Sequence, residues 1–238
     1  MYIVVLTWSA GMGATLAWTQ ETIAALHVII TQLKHDLGLT RVRLLDIPCG
    51  DMAWMSRFLK TRDDVDYVGV DIVDSLIDHH RKAFTGYGWK FYRQDILEDG
   101  MVDDDSGKAF DIILCRTLLQ HLYFYDISQI LRTFSRSGAR LLLTTSWYGH
   151  DDNKDLEISN ENPGRFRRLN LELPPVSLVP PMCLHRDGPP DAYEGWDHFL
   201  GLWALPLRRH RRCDAATSFT LAGTDKKIFS CVNWSLKH

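Results

Sequence analysis

Leu44-Leu45-Asp46-Ile47-Pro48-Cys49-Gly50-Asp51, followed further on by Tyr67-Val68-Gly69-Val70-Asp71, decides how this chain is read. Each run is a short apolar stretch of strand length that ends in a carboxylate. The first opens into a turn at Gly50, where a backbone can approach a ligand closely, and an acid at the end of the second suits the hydroxyls of a ribose. This pairing predicts an adenosine-containing cofactor. Charge separates the candidates. A dinucleotide would bring its pyrophosphate against the first turn, and that turn carries Asp46 and Asp51 where a nicotinamide enzyme would have further glycines. Carboxylates there repel phosphate. S-adenosylmethionine has no phosphate and carries a sulfonium and an ammonium group, which the same acids tolerate or favour. The turn therefore points to S-adenosylmethionine and to methyl transfer.

Working outward, Thr19 to Leu37 places Ile23, Leu26, Ile29, Ile30 and Leu33 at helical spacing, with Gly38 as a stop. Strand candidates follow at Arg43 to Ile47, Asp66 to Val70, Trp89 to Arg93, Asp111 to Cys115 and Ala139 to Thr145. Helical stretches lie between them near Met52 to Lys60, Val73 to Ala83 and Ile127 to Ser135. Such alternation predicts an α/β fold, a doubly wound, Rossmann-like and mostly parallel sheet whose ligands sit beyond the carboxyl ends of the strands. The informative positions are then Asp46 to Asp51, Asp71, Asp95, Arg116 to His121 and Ser146 to Asp152. Beyond Tyr148 the alternation stops. The proline- and charge-rich stretch from Asp151 to Pro190 reads as a loop-rich cover, and Phe199 to Leu205 supplies a last strand, preceded by a weaker one near Met182 to His185. No internal repeat is present.

A chain of 238 residues accommodates one full α/β domain with appendages. The expected division is a lead-in or lid over residues 1–18, a cofactor-binding domain over 19–205 and an extension over 206–238. A formal net charge of −3 with 45% hydrophobic residues describes a soluble globular protein with no general attraction to nucleic acid. Cys49, Cys115, Cys183, Cys213 and Cys231 are odd in number and never at CxxC spacing, which indicates neither a disulfide framework nor a zinc site. A reducing, cytoplasmic setting is expected. Tyr2 to Leu6 is apolar but too short to span a bilayer and lacks the pattern of a signal peptide. Arg208 to Arg212 reads as a solvated basic run.

The chain resembles class I S-adenosylmethionine-dependent methyltransferases over roughly Trp8 to Leu205, a superfamily with a seven-stranded sheet and an antiparallel last strand. More narrowly it is similar to a little-characterised subgroup with a PCGD turn like Pro48-Cys49-Gly50-Asp51. Three further motifs carry that likeness: Gly11-Met12-Gly13, the Cys115-Arg116 pair after the fourth strand, and Leu169 to Pro175. The resemblance implies that Asp46 and Gly50 line the methionine end of the cofactor and that Asp71 takes the ribose hydroxyls, with Pro48, Cys49, Asp51 and Ile72 also among the cofactor-binding residues. It further implies that Asp95 and Ile96 face the adenine, that Cys115 and Arg116 lie nearest the reacting sulfur, and that Gly11 and Gly13 belong to a lid. The subgroup usually has an acid directly after the arginine, where this chain has Thr117.

Methyl transfer is an in-line displacement at a carbon already activated by the sulfonium, so positioning the acceptor supplies much of the rate. A base is needed only for a nucleophile that carries a proton at neutral pH. His121 and His150 are the candidates, since each follows a sheet strand on the expected substrate side. His79 and His80 read as helix surface, and Asp103-Asp104-Asp105 as a solvated loop with no metal role. Tyr123, Phe124, Tyr125, Trp147 and Tyr148 would put aromatic rings near the acceptor, and Asp126, Asp151 and Asp152 add negative charge that suits an amine. The expected acceptor is a small molecule with an N- or O-nucleophile. Two other outcomes stay open: a cofactor-binding assembly or regulatory protein with impaired catalysis, and a methyltransferase acting on RNA or protein through Arg165, Arg167, Arg168 and the Arg208 to Arg212 run.

Overall fold

The computed structural model describes residues 14–157, 166–189 and 197–209 of the chain. Its elements are α1 (Leu16–Leu37), β1 (Val42–Asp46), α2 (Met55–Lys60), β2 (Val65–Asp71), α3 (Asp74–Ala83), β3 (Lys90–Arg93), β4 (Ile112–Cys115), α4 (Phe124–Arg136), β5 (Leu141–Tyr148), β6 (Cys183–Arg186) and β7 (Asp197–Ala204). The seven strands form one sheet in the order β3-β2-β1-β4-β5-β7-β6. The first five pair in parallel, and β7 runs antiparallel between β5 and β6. This is the Rossmann-like sheet with an antiparallel last strand that the sequence predicts.

Side-chain alternation along the strands explains why both faces are covered. On β1, Leu44 packs with Leu26, Ile30, Leu33 and Phe58 on one face, while Leu45 joins Ile127, Ile130, Leu131 and Phe134 on the other. The central β4 is buried throughout, as expected of a parallel strand sandwiched between helices. Each fully buried leucine or isoleucine contributes about 1.5–3 kcal/mol, so the two layers together hold the sheet.

Strand order reverses between β1 and β4, where the helical connections leave to opposite faces. That switch point opens a crevice at the carboxyl ends of both strands. It sets the Asp46–Gly50 turn beside the loop that follows Cys115.

Several elements differ from the sequence expectation for identifiable reasons. Met52 has φ 61° and stays in the turn, so α2 begins only at Met55. β5 runs on to Tyr148 because it pairs with β7 as far as Asp197. Asp104 is no solvated loop residue: it is buried and its oxygens take Arg43 Nη2 at 3.0 Å, while Asp103 and Asp105 stay exposed. Cys49 and Cys115 are buried free thiols, whereas Cys183 is disulfide-bonded, which the cysteine spacing did not reveal. After β7 the chain still packs: Leu207 N–H donates to Ser135 Oγ at 3.2 Å and Val179 N–H to Arg208 O at 3.0 Å. Gly11, Gly13, Arg165, Arg211, Arg212 and the rest of both termini lie outside the described residues. No described helix is long and apolar enough to cross a membrane.

Candidate active site at the strand ends

Asp46 closes β1 in register with Gly69 of β2 and Leu114 of β4, and is buried. Tyr67 Oη donates to Asp46 Oδ2 at 2.8 Å and also lies 3.0 Å from Met52 Sδ, so the turn folds over a phenol. Burial pushes the Asp46 carboxyl up to about 7, with Asp71 adding in the same direction; the Tyr67 hydrogen bond and the Arg116 charge pull the other way. The Cys49 thiol is driven well above its ordinary range by burial and by the neighbouring carboxylates, which makes it an inert neighbour of the site.

Gly50 has φ 54°, the left-handed conformation that a turn of this shape requires. Its N–H donates to Asp71 Oδ2 at 3.1 Å, and Val73 N–H donates to Asp71 Oδ1 at 3.1 Å. Asp71, itself buried at the end of β2, therefore fastens the first turn to that strand end. Gly69 permits this approach: a Cβ there would stand 3.1 Å from Cys49 Cβ and 3.0 Å from the Tyr67 hydroxyl. Beneath the turn sits His80, against the reading of it as helix surface. It is buried, its Nε2 2.7 Å from Gly50 O, and burial lowers its pKa. Its position one helical turn after the buried Ile77 was the available signal.

Asp51 caps its own turn, accepting from Ala53 N–H at 3.0 Å. Next along the crevice, Ile72 is an apolar residue left 47% exposed directly after Asp71. Asp95 follows β3 and organises a tight turn, its Oδ1 accepting from Leu97 N–H at 2.9 Å, with Ile96 buried behind it. Asp46, Pro48, Cys49, Gly50, Asp51, Asp71, Ile72, Asp95 and Ile96 thus lie along one strand-end rim.

Across the crevice, Cys115 is buried and burial pushes its thiol up to about 12. Arg116 turns its guanidinium into Asp187, with Nε 3.0 Å from both carboxylate oxygens and Nη2 2.9 Å from Oδ1. Asp187 also accepts from Thr22 Oγ1 at 2.7 Å, and His198 Nε2 stands 3.4 Å from its Oδ2. Burial alone would raise the Asp187 carboxyl, but Arg116, His198 and these hydrogen bonds hold it below the ordinary value. His198 stacks on Trp147, ring centroids 4.0 Å apart. Sequence reasoning missed Asp187 and His198 because residues so far apart in the chain leave no spacing signal. Thr117 has φ 57°, a left-handed backbone rare for a β-branched residue, and its N–H donates to Thr145 Oγ1 at 2.9 Å.

The two candidate bases occupy the rim of the same face. His121 ends the one-turn 3-10 helix Leu119–His121, its ring 5.7 Å from Phe166. His150 follows β5, with Nε2 3.3 Å from Asn153 Oδ1 and Nδ1 buried without a hydrogen-bond partner among the described residues. The Leu169–Pro175 motif braces this loop. Trp147 N–H donates to Leu169 O at 2.9 Å, Leu171 N–H to Ser146 Oγ at 3.1 Å, and Asn153 Nδ2 to Asn170 O at 2.7 Å. Of the expected aromatic wall, Trp147 is buried against His198 and Phe166, Tyr148 Oη donates to Glu172 Oε1 at 2.6 Å, and Tyr125 points outward, 73% exposed. Among the described residues there is no cluster suited to a metal ion.

A crevice at a β1/β4 switch point, lined by acids, in a sheet whose β7 runs antiparallel between β5 and β6, is the arrangement of a class I methyltransferase fold. Residues 45–139, which span β1 to the end of α4, match a family model described as a methyltransferase domain. No curated protein matches the sequence. The magnesium protoporphyrin IX methyltransferase of Synechocystis PCC 6803, solved with bound S-adenosylmethionine, is 12% identical with a TM-score of 0.50, covering 78% of this chain and 80% of that one. The 1,6-didemethyltoxoflavin-N1-methyltransferase of Burkholderia thailandensis, solved with its substrate and S-adenosylhomocysteine, is 19% identical at the same TM-score of 0.50, over 82% of this chain and 81% of that one. The plantazolicin methyltransferase, in complex with a pentazolic substrate analogue and S-adenosylhomocysteine, is 20% identical with a TM-score of 0.41. That match covers 52% of this chain and 46% of the plantazolicin enzyme, so the chain spans about half its length.

Proposed function

We propose that this protein is an S-adenosylmethionine-dependent methyltransferase acting on an N- or O-nucleophile of a small molecule and releasing S-adenosylhomocysteine. The observation that carries this reading is the acid-lined turn locked by the Gly50 N–H to Asp71 hydrogen bond, which offers carboxylates where a dinucleotide site needs phosphate donors. The methyltransferase-domain match over 45–139 supports it. In this reading Asp46, Pro48, Cys49, Gly50 and Asp51 receive the methionine end, whose ammonium pairs with carboxylate. Asp71 accepts from the ribose hydroxyls, the exposed Ile72 and the buried Ile96 flank the adenine, and Asp95 lies at its edge. Cys115 and Arg116 border the sulfur, and Gly11 and Gly13 belong to the lid. The four motifs support placing the chain with the PCGD subgroup.

Transfer forms the bond from the nucleophile to the methyl carbon while the carbon–sulfur bond breaks and its electron pair returns to sulfur. The proton of an N–H or O–H acceptor then passes to His121 or His150, both on the rim that faces the crevice, or to water. No metal is needed by this scheme. The two structural neighbours that cover most of both chains act on a porphyrin and a toxoflavin precursor, as their names say, which supports a small acceptor here.

The test is label transfer from methyl-labelled S-adenosylmethionine into a fractionated small-molecule extract. The expected result is a labelled low-mass product with equivalent S-adenosylhomocysteine, abolished in Asp71→Ala. Tight cofactor binding without transfer to any fraction would establish the catalytically impaired binding protein instead. Label in the macromolecular fraction would move the acceptor to RNA or protein.

A further inference from the structure

Arg167 presents an unsolved charge. Its side chain is 9% exposed, and Nε, Nη1 and Nη2 are all buried with no hydrogen-bond partner among the described residues. Arginine does not shed its proton to escape such a position. Among the described residues its ion-pair partner is Asp155, whose Oδ1 is 4.0 Å from Nη2 and is already engaged, accepting from Phe124 N–H at 3.0 Å and Leu156 N–H at 2.9 Å. Below the guanidinium lies the Phe124 ring, 4.7 Å from Cζ to the centroid. A cation–π contact of this kind is worth about 0.5–2 kcal/mol and supplies no acceptor for the guanidinium N–H donors. A buried charged donor with no acceptor is costly enough that native structures supply one.

Its place in the fold says what that acceptor is. Arg167 N–H donates to Gln120 O at 3.1 Å, which clips the residue across the loop after β4. Its neighbour Phe166 bridges His121 and Trp147, with ring centroids 5.7 and 5.6 Å away. The guanidinium therefore stands at the carboxyl ends of β4 and β5, among the residues that border the acceptor. Among the described residues, it is the Asp155 carboxylate whose field acts on it. The nearby Asp126 has its carboxyl pushed up by burial, Asp155 and Asp95, while Asp151 and Asp152 are exposed to solvent.

We propose that Arg167 is the receptor for a carboxylate on the methyl acceptor, gripping it with its planar fork while the reacting N or O lies elsewhere on the same molecule. This deepens the methyl-transfer reading and rests on it for the identity of the occupant. The guanidinium fork matches a carboxylate in two parallel hydrogen bonds, and Phe124 and Phe166 suit an organic acid with an apolar or aromatic body.

The test is thermal unfolding of the full chain, with and without S-adenosylhomocysteine, in sodium benzoate, inorganic phosphate or chloride at constant ionic strength. Wild type is compared with Arg167→Met and Arg167→Lys. Benzoate is expected to raise the wild-type midpoint saturably, with the effect lost in Arg167→Met and about tenfold weaker in apparent affinity in Arg167→Lys, which keeps the charge without the fork. Without benzoate, Arg167→Met is expected to melt at or above the wild-type temperature, because an unpaired buried charge is gone. A wild-type response to benzoate no greater than to chloride, or one retained in Arg167→Met, would overturn the proposal. So would a response to phosphate alone, or a large fall in the Arg167→Met midpoint that marks the arginine as structural. Calorimetric S-adenosylhomocysteine binding is read separately, so a failure of the cofactor reading is distinguishable from a failure at Arg167.

Discussion

With burial holding its carboxyl up to about 7, Asp46 is partly protonated in the free protein at neutral pH. Its folded pKa lies above the ordinary 3.8, so the folded state keeps this proton while the unfolded state loses it. Stability therefore falls as pH rises from about 4 to about 7, by at most about 4 kcal/mol from this group. A cationic ligand at the methionine end favours the carboxylate and reverses the effect. S-adenosylmethionine binding is expected to release up to one proton near pH 6 and almost none near pH 8, measured by calorimetry in buffers of different ionisation heat. Thr117 is a second residue-scale case. Its left-handed backbone stores about 1–2 kcal/mol, and Thr117→Gly is expected to raise stability by about 1 kcal/mol in urea unfolding. Both effects escape the sequence, since neither a pKa nor a backbone angle follows from residue type alone. The positions themselves were legible: Asp46 and Asp71 fall at strand ends because their apolar runs stop there.

At the scale of elements, one buried ion pair joins what the sheet order separates. Arg116 follows β4, Asp187 follows β6, Thr22 belongs to α1 and His198 to β7, and all four meet around the Asp187 carboxylate. Removing one partner of a buried pair leaves the other charge uncompensated, at about 3–5 kcal/mol. Asp187→Asn is expected to destabilise by that amount in urea unfolding, and Asp187→Leu combined with Arg116→Met to recover most of it. A cost near zero for Asp187→Asn would show that the pair does not hold these elements together. The regular strands and helices were legible from apolar periodicity, and even the β6 edge was read near Met182 to His185 within one residue of its place; the Arg116 partner was not legible. Short β6 carries one buried residue of four, Cys183, so its pattern is weak. The start of α2 moved because Met52 took a turn conformation that helical spacing does not disclose.

For the whole molecule, the doubly wound sheet was legible because alternating buried strands and amphipathic helices admit few other architectures. The loop-rich region after Tyr148 reads as cover, and the structure gives it a firmer role: Leu169 to Leu171 braces β5, Arg167 packs over Phe124 at the start of α4, and Asp187 pairs with Arg116 after β4. Its residues lack periodicity because loops place side chains by tertiary contact alone. The central claim is that the acid-lined crevice binds S-adenosylmethionine and excludes a dinucleotide. Calorimetric titration of the purified chain with S-adenosylmethionine, S-adenosylhomocysteine and NAD, beside an Asp71→Ala variant, tests it most directly. Saturable binding of both sulfur ligands, weakened by about a hundredfold or more in Asp71→Ala with loss of charged hydrogen bonds to the ribose and absent for NAD, is the expected result. Binding of NAD, or no binding of either sulfur ligand by well-folded protein, would contradict it.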